Sequence, residues 1–247
     1  MDTKTAANLK TIPLSVNMSN ALSRAAHNLT LNEKRLVAMC ISKTDSIRFS
    51  SNERMKQTIR AHDFSQMFDV NEKNTFRDMM QAADNLLKRQ VRLLVETPNG
   101  LKESKFNWVS GAVYHHGEGW IEIGFTHEIT PHLTMLRKEY TTYKLKAASP
   151  LRSVYSWRLY ELLSSVSQKN NFSGKLLITL DEFRHAMEIP AGYKFNDIKR
   201  RVIENACSEI ELCCNAKITF KARKKGRSVS SLQFFFCEIK QQQLDLS

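Results

Sequence analysis

One stretch near the C-terminus limits the possible folds of this chain more than any other. On a helical wheel of about 100° per residue, apolar side chains line one side of residues 196–210. They are Ile198, Val202, Ile203, Ala206 and Ile210. The other side carries Asp197, Arg200, Arg201 and Glu204. Residues 221–227 follow as a turn rich in Lys and Arg, between two segments with strand character. A helix with a buried stripe and an arginine-rich face, then a cationic hairpin, predicts a winged helix that contacts duplex DNA.

The charged side chains of this unit predict two kinds of DNA contact. Arg200 and Arg201 can each bind guanine in the major groove, because a guanidinium donates two hydrogen bonds to O6 and N7. The turn predicts phosphate contacts, which set register without reading sequence. Its cations are Arg223, Lys224, Lys225 and Arg227. The alternatives are a solvated helix face on which Glu204 pairs with an arginine, and a solvated loop.

Two further polar residues lie in the first turn of this helix. Lys199 projects toward the apolar side of the wheel but, so close to the helix start, can reach a phosphate. Asp197 is expected to stabilise the helix dipole and to orient Arg200 or Arg201. A direct contact from Asp197 to a base is the other possibility.

Composition agrees with a polyanionic partner. The 247 residues carry a formal net charge of +12, and the pI is near 9.5. Lys and Arg outnumber Asp and Glu by 18 to 10 over residues 140–247, and by 19 to 15 over residues 1–139. Nucleic-acid contact is therefore expected mainly in the C-terminal half. The hydrophobic content of 42% argues against general disorder.

The order of predicted elements occurs twice along the chain. Thr30 and Glu33 form a capping-box pattern at the start of one early helix. Further helices, a single strand over residues 106–115 and another over 120–125 follow, and a similar series begins near Pro150. Pro190 and Gly192 supply the tight turn between the last two helices. We predict an α+β fold of two tandem winged-helix domains with a pseudo-two-fold relation, residues 15–139 and 140–247, after a flexible tail of residues 1–14.

Four segments, in this order and spacing, resemble the iteron-binding replication initiators (Rep proteins) of theta-replicating bacterial plasmids. They are Asn28-Leu-Thr-Leu-Asn-Glu-Lys-Arg-Leu36, Arg158-Leu-Tyr-Glu-Leu-Leu163, Tyr193-Lys-Phe-Asn-Asp-Ile-Lys-Arg-Arg-Val202, and Lys225-Gly-Arg-Ser-Val229 with Leu232-x-Phe-x-Phe236. The resemblance, in the order and spacing of these segments, extends over roughly residues 15–240. The family's two winged-helix domains agree with the repeated order of elements.

The resemblance implies a function that basic helices alone do not. Monomers of this family bind direct repeats, called iterons, at the plasmid origin, open the duplex nearby and recruit the host replicative helicase. Contact with the host initiator protein is also implied. Dimers, joined through the N-terminal domain, commonly repress their own gene at an inverted repeat. The resemblance thus implies double-stranded DNA, a homodimer and host replication proteins as partners, in the bacterial cytoplasm.

The resemblance also places the residues that read bases on the second recognition helix. The matching positions are Lys199, Arg200 and Arg201, with Asn196 and Asp197 at the helix start. Related proteins can carry a further Arg on the approach to this helix, where this chain has Lys194 and Phe195. The base preference at that point is therefore not carried over. In the first domain, Lys73, Asn74 and Arg77 begin the corresponding helix and predict either a DNA backbone contact or a solvated surface.

No pattern in the sequence predicts catalysis, a metal or a cofactor. His115 and His116 are adjacent, so a strand would direct them to opposite faces, unlike the metal-binding His pair of nicking initiators. No Gly-rich phosphate loop is present. Cys207, Cys213 and Cys214 are interpreted as free thiols rather than zinc ligands. No apolar run approaches the length of a membrane span.

Two other functions remain open from the sequence. A two-domain winged-helix transcriptional repressor needs the same helix and wing, and differs in binding a lone palindrome instead of head-to-tail repeats. A nicking initiator would cleave single strands with a metal and form a covalent tyrosine adduct. Tyr140 and Lys144 only faintly resemble the spacing of such a nucleophile.

Overall fold

The computed structural model describes residues 14–44, 55–134, 136, 140–168 and 171–239. The tail predicted for residues 1–14 lies outside the described residues except for Leu14. Within the described part the fold combines helices with four small antiparallel sheets. This mixture of helix and sheet agrees with the α+β class predicted from the sequence.

The N-terminal half begins with a strand and two helices. They are β1 (Ser15–Ser19), α1 (Asn20–Arg24) and α2 (Leu31–Ser42). The predicted capping box is confirmed at the start of α2. The Thr30 backbone N–H donates to the Glu33 carboxylate over 3.0 Å, and the Glu33 N–H donates to the Thr30 hydroxyl over 3.4 Å. These bonds satisfy amides that a helix end otherwise leaves unpaired.

The rest of that half holds the first helix-turn-helix and its strands. The elements are β2 (Lys56–Arg60), α3 (Ala61–Phe68), α4 (Glu72–Leu86), β3 (Gln90–Thr97), β4 (Gly100–Asn107), β5 (Val109–His115), β6 (Trp120–Phe125), α5 (Thr130–Leu133) and β7 (Tyr140–Lys144). The single strand predicted over residues 106–115 was wrong. The chain leaves β4 at fully buried Trp108, whose backbone N–H donates to the Arg89 carbonyl, and then starts β5 in a different sheet.

The C-terminal half contains the second series. Its elements are α6 (Leu145–Ala148), α7 (Val154–Ser164), β8 (Gly174–Thr179), α8 (Leu180–Met187), α9 (Phe195–Asp197), a π-helical segment (Ile198–Glu204), α10 (Asn205–Cys214), β9 (Ala216–Lys225) and β10 (Ser228–Glu238). We call the helical run over residues 195–214 the recognition helix. The hairpin formed by β9 and β10 is called the wing.

The two halves repeat one connectivity, and the prediction of two winged-helix units is confirmed. The first unit has the sheet order β2-β6-β5, and the second has β8-β10-β9. In each, a strand leads into a short helix, then into a second helix and a hairpin that pairs with the first strand. Even the helix ends match, because Asp69 after α3 and Glu188 after α8 both adopt left-handed backbone conformations, at φ 49° and 48°.

Two features break this repeat. Strands β3 and β4 form a separate two-stranded ribbon, inserted between α4 and β5 of the first unit. Strand β7 pairs with β1, so that Ser15 lies opposite Lys144 and Ser19 opposite Tyr140. The predicted division between residues 139 and 140 would assign these paired strands to different domains. That division stays a prediction, and the β1–β7 pairing joins the chain across it.

The core runs through both halves. The aromatic and apolar stripe of α7 is buried along its length, with Trp157, Leu159 and Leu163 fully covered. In β10, Phe234 and Phe236 point inward and Phe235 is 37% exposed, as the alternation of a strand requires. Buried residues of the recognition helix and of the wing belong to this core, which fixes the position of both elements.

Candidate nucleic-acid interface

The recognition helix is anchored by its apolar stripe. Ile198, Val202, Ile203 and Ile210 are completely buried, and Ala206 is 1% exposed. The helix begins with a reciprocal contact, in which the Lys194 backbone N–H donates to the Asp197 carboxylate over 3.3 Å and the Asp197 N–H donates to the Lys194 carbonyl over 2.9 Å. The predicted stripe is confirmed, and it leaves the opposite face of the helix to solvent.

The centre of this helix is wound more widely than the regular α-helix predicted from the sequence. Over Ile198–Glu204 the helix is π-helical, a winding in which backbone hydrogen bonds join residues five apart. Ile198 and Ile203, at this separation, are both buried in the core. The same winding brings Lys199 Nζ to 3.6 Å from Glu204 Oε1. The wide turn explains why Lys199 is paired with Glu204, which the wheel of a regular helix did not indicate.

Arg201 is held on two sides. Its Nε atom lies 3.6 Å from Asp197 Oδ1, and its guanidinium carbon lies 5.4 Å from the centre of the Tyr193 ring. The neighbouring Tyr193 phenol and then the Asp197 carboxylate raise the pKa of Arg201 above its ordinary value. Its side chain is still 54% exposed. Asp197 therefore contacts Arg201 and also caps the helix start. Both contacts agree with the expectation that Asp197 stabilises the start of the helix and orients one of the two arginines.

Arg200 and Asn196 lie on the same outer face and are both exposed. Among the residues that the structure describes, Arg200 makes no ion pair and no side-chain hydrogen bond. The two neighbouring arginines thus differ in how far their side chains are fixed. Asn196 and Lys194 complete the polar surface around the start of the helix.

The wing presents most of its cations to solvent. Lys224, Lys225 and Arg227 are exposed at the end of the hairpin, where Gly226 has the positive φ of 65° that the tight turn requires. Arg223 is different. Its Nε and Nη2 atoms donate to Gln233 Oε1 over 3.1 and 2.6 Å, across the β9–β10 pair. Three of the four predicted wing cations therefore project freely, while Arg223 is tied to the sheet.

The predicted residues of the first unit gather at the start of α4. Asn71 caps this helix by accepting a hydrogen bond from the Lys73 N–H over 2.9 Å. Lys73, Asn74 and Arg77 occupy its first turns, and the Arg77 side chain is 74% exposed, 3.4 Å from Asp78. The corresponding hairpin, between β5 and β6, has the sequence His-His-Gly-Glu-Gly at residues 115–119 and so lacks the Lys and Arg of the second wing. The turn of the first hairpin therefore offers fewer cations than the turn of the second wing.

The two adjacent histidines of that hairpin contact different aromatic rings. His115 stacks on Trp120 with ring centres 5.0 Å apart, and His116 meets Phe76 edge-on at 5.7 Å. Over the described ranges, no group of three His, Cys, Asp or Glu side chains is placed to hold a metal ion.

Burial raises the pKa of the Cys207 and Cys214 thiols to about 12, which keeps them protonated at neutral pH.

Sequence reasoning missed the contacts that join the ribbon to the helix-turn-helix. Arg92 of β3 donates to Glu188 over 3.1 Å, and the Arg92 carbonyl lies 3.3 Å from His185 Nε2. Next to them, Arg184 donates to the carbonyl of Tyr193, in the turn that leads into the recognition helix. No local pattern indicates these contacts, because Arg92 and Glu188 are 96 residues apart.

No helix in the described part of the chain is long and apolar enough to cross a membrane.

Comparison with known proteins agrees with this architecture. The family description "Initiator Replication protein, WH1" matches residues 15–164, and "Initiator Rep protein, WH2" matches residues 179–236. The chain belongs to the family of Rep replication initiators. This confirms the family indicated by the four sequence segments. The first family match continues through β7 and α7, which the predicted division had assigned to the second domain.

Relatives and solved structures of the family extend over most of the chain. A "Replication initiation protein" of Escherichia coli is 25% identical over 219 residues, which are 87% of this chain and 67% of that protein. The "PI protein" of Escherichia coli is 26% identical over 252 residues, covering 88% and 80%. The crystal structure of the Pi initiator protein in complex with iteron DNA has a TM-score of 0.76, at 22% identity, covering 93% of this chain and 99% of that one. This last likeness establishes the shared fold.

Proposed function

We propose that this chain is a plasmid replication initiator that binds iterons as a monomer and promotes opening of the adjacent duplex. The observation that carries the proposal is the recognition helix, which exposes Arg200 and Arg201 above a buried stripe. A cationic wing lies on the same small unit, in a chain of the Rep family. The relative named Pi, crystallised with iteron DNA, supports repeated duplex sites as the ligand.

In this proposal the second unit supplies most of the sequence-specific affinity. The recognition helix enters the major groove, and its first two turns contact bases and nearby phosphates. The residues proposed for these contacts are Lys194, Asn196, Asp197, Lys199, Arg200 and Arg201. The wing contacts the backbone through Lys224, Lys225 and Arg227, with Arg223 at its base. Each phosphate contact releases counterions, so binding should weaken steeply with salt.

The first unit is proposed to make an auxiliary contact and to form the dimer. Lys73, Asn74 and Arg77 at the start of α4 would contact the backbone of a neighbouring groove. Binding through both units would bend the duplex and lower the cost of opening an adjacent AT-rich segment. Recruitment of the host replicative helicase, contact with the host initiator and repression of the chain's own gene by the dimer belong to the same proposal. No catalytic step and no cofactor form part of it.

A repressor is the second candidate, because it would use the same helix and wing. The test uses supercoiled DNA that contains the gene for this chain and its flanking sequence. After addition of the purified chain, permanganate would be used to detect unpaired thymines. An initiator should produce a patch of reactive thymines beside its footprint, either alone or with the host initiator. A footprint without reactive thymines under both conditions would favour the repressor.

A further inference from the structure

We propose that Tyr193 positions Arg201, so that Arg201 reads a base while its neighbour Arg200 contacts the backbone. The inference rests on the proposed function, since it assigns different roles to two residues of the same DNA-binding helix. It adds Tyr193 to the site, as a residue that need not touch DNA itself. Three features of the structure support it.

The first feature is the way in which Arg201 is held. Asp197 contacts the guanidinium at Nε, 3.6 Å away, and the guanidinium carbon lies over the Tyr193 ring, 5.4 Å from the ring centre. Nε is the guanidinium nitrogen recorded in contact with the carboxylate, and the Arg201 side chain is 54% exposed, so the outer N–H groups of its two terminal nitrogens can donate to another acceptor. Those nitrogens are the donors that a guanidinium can offer to O6 and N7 of guanine. A side chain ordered before binding also loses less conformational entropy when the complex forms.

The second feature is that Tyr193 is itself fixed. Its N–H donates to the Pro190 carbonyl over 3.0 Å, and its own carbonyl accepts from the Arg184 guanidinium. The ring is half-buried and packs against the core. Aromatic faces attract guanidinium groups through the ring quadrupole and by stacking. Tyr193 therefore provides a rigid surface on which the planar group of Arg201 can rest.

The third feature is the contrast with Arg200. This side chain is exposed and, within the described ranges, has neither an ion-pair partner nor a side-chain hydrogen bond. A mobile cation can follow a phosphate, which tolerates many geometries, whereas bidentate reading of a base needs a fixed orientation. Arg201, which Asp197 and Tyr193 hold in place, therefore suits the contact with a base. Arg200, which has no such partner in the described ranges, suits the contact with a phosphate.

The test begins with a duplex selected by the wild-type chain from a random library, because the natural repeat is not needed for it. Every base pair of that duplex is then replaced in turn, and the affinity ratio is measured for each position. Arg201→Ala should relax discrimination at one guanine. Tyr193→Leu should reduce discrimination at that same guanine by about tenfold. It should leave the other positions, the affinity for random duplex and the salt slope unchanged.

Three comparisons separate positioning from a general structural role. Tyr193→Phe keeps the ring and should retain discrimination. The double variant Tyr193→Leu with Arg201→Ala should behave like Arg201→Ala alone, because Tyr193 acts through that arginine. Asp197→Asn should affect the same guanine, and serves as the second variant if Tyr193→Leu does not fold. Equal losses on selected and random DNA, or additive losses in the double variant, would overturn the inference. If the wild-type chain selected no sequence at all, the proposed function itself would fail.

Discussion

Lys34 of α2 and Glu161 of α7 form an ion pair of 2.7 Å in which each side chain is only 1% exposed. The carboxylate also accepts a hydrogen bond from the Tyr143 hydroxyl over 2.7 Å, and that hydroxyl accepts from Trp157 Nε1 over 3.1 Å. Burial lowers the pKa of Lys34, against the attraction of Glu161, which raises it. The pair joins helix α2 to α7, and α7 in turn packs on α10 of the recognition helix.

Removing one partner of this pair should therefore destabilise the whole chain. Lys34→Met would leave Glu161 buried without its cation, and is expected to lower the free energy of unfolding by about 3–5 kcal/mol. Glu161→Gln in the same chain should recover part of the loss, because the carboxylate that lost its ammonium partner is then replaced by a neutral amide. Urea unfolding of the wild type, the single variant and the double variant measures both effects. A single variant as stable as the wild type would mean that the pair contributes nothing.

Arg201 should contribute to both affinity and specificity. Arg201→Ala is expected to cost about 1–3 kcal/mol on the preferred duplex and to relax discrimination at one base pair. Arg200→Ala is the matched comparison, since it removes the same group one position away. That variant should weaken binding to preferred and random duplexes alike. Titrations on both kinds of DNA measure the two losses, and the assignment is wrong if the two variants exchange behaviours.

The wing should contribute affinity without specificity. Lys224→Ala is expected to weaken binding to all sequences and to lower the slope of log K against log salt by about 1. Arg223→Ala is a useful comparison, because the Arg223 guanidinium is already bound to Gln233. It should change the slope less than Lys224→Ala. Titrations at several salt concentrations give these slopes, and an unchanged slope for Lys224→Ala would remove the wing from the interface.

His27 should make the stability of the chain depend on pH. This imidazole is fully buried beside Arg158, whose Nη1 lies 2.7 Å from its Nδ1. Burial, followed by the charge of Arg158, lowers the pKa of His27 well below 6.5. The unfolded chain therefore binds a proton below about pH 6.5 that the folded chain rejects. The free energy of unfolding should therefore have its full value above about pH 6.5. It should decrease as the pH falls below that value.

The control for this pH effect is His27→Gln, which removes the titrating group. Burial also lowers the pKa of His132 and His185, so the variant should lose part of the pH dependence and keep the rest. Unfolding free energies at pH 7.5 and at about pH 5.5 would be compared for both chains. Equal pH dependence in the variant and the wild type would show that His27 does not carry the effect.

Local signals predicted much of the fold. Thr30 and Glu33 form the expected capping box, and the buried stripe from Ile198 to Ile210 lies as the helical wheel indicated. These features depend on residues a few positions apart, so a short window of sequence contains the physical cause. The same holds for the turn at Gly226. The repeated order of elements then identified two winged-helix units.

The features that the sequence did not predict depend on distant partners. Strand β1 is short and pairs with β7, so that Ser15 lies opposite Lys144, which is more than half of the chain away in sequence. Arg92 and Glu188 are likewise brought together only by the complete fold. The π-helical winding was missed because it depends on how Ile198 and Ile203 fit the core, which periodicity alone does not specify. The contact between Arg201 and Tyr193, eight residues apart, was likewise not indicated by the helical wheel.

A gel-shift titration tests the central claim most directly. The DNA would carry one copy of the selected site, several head-to-tail copies, or two copies in inverted orientation, at two salt concentrations. The protein-to-DNA ratio of each band would be determined. Binding of iterons by monomers should give a ladder with one additional monomer for every direct repeat, and weaker binding at the higher salt. A single dimer on the inverted site, without a ladder on direct repeats, would contradict it and leave a repressor.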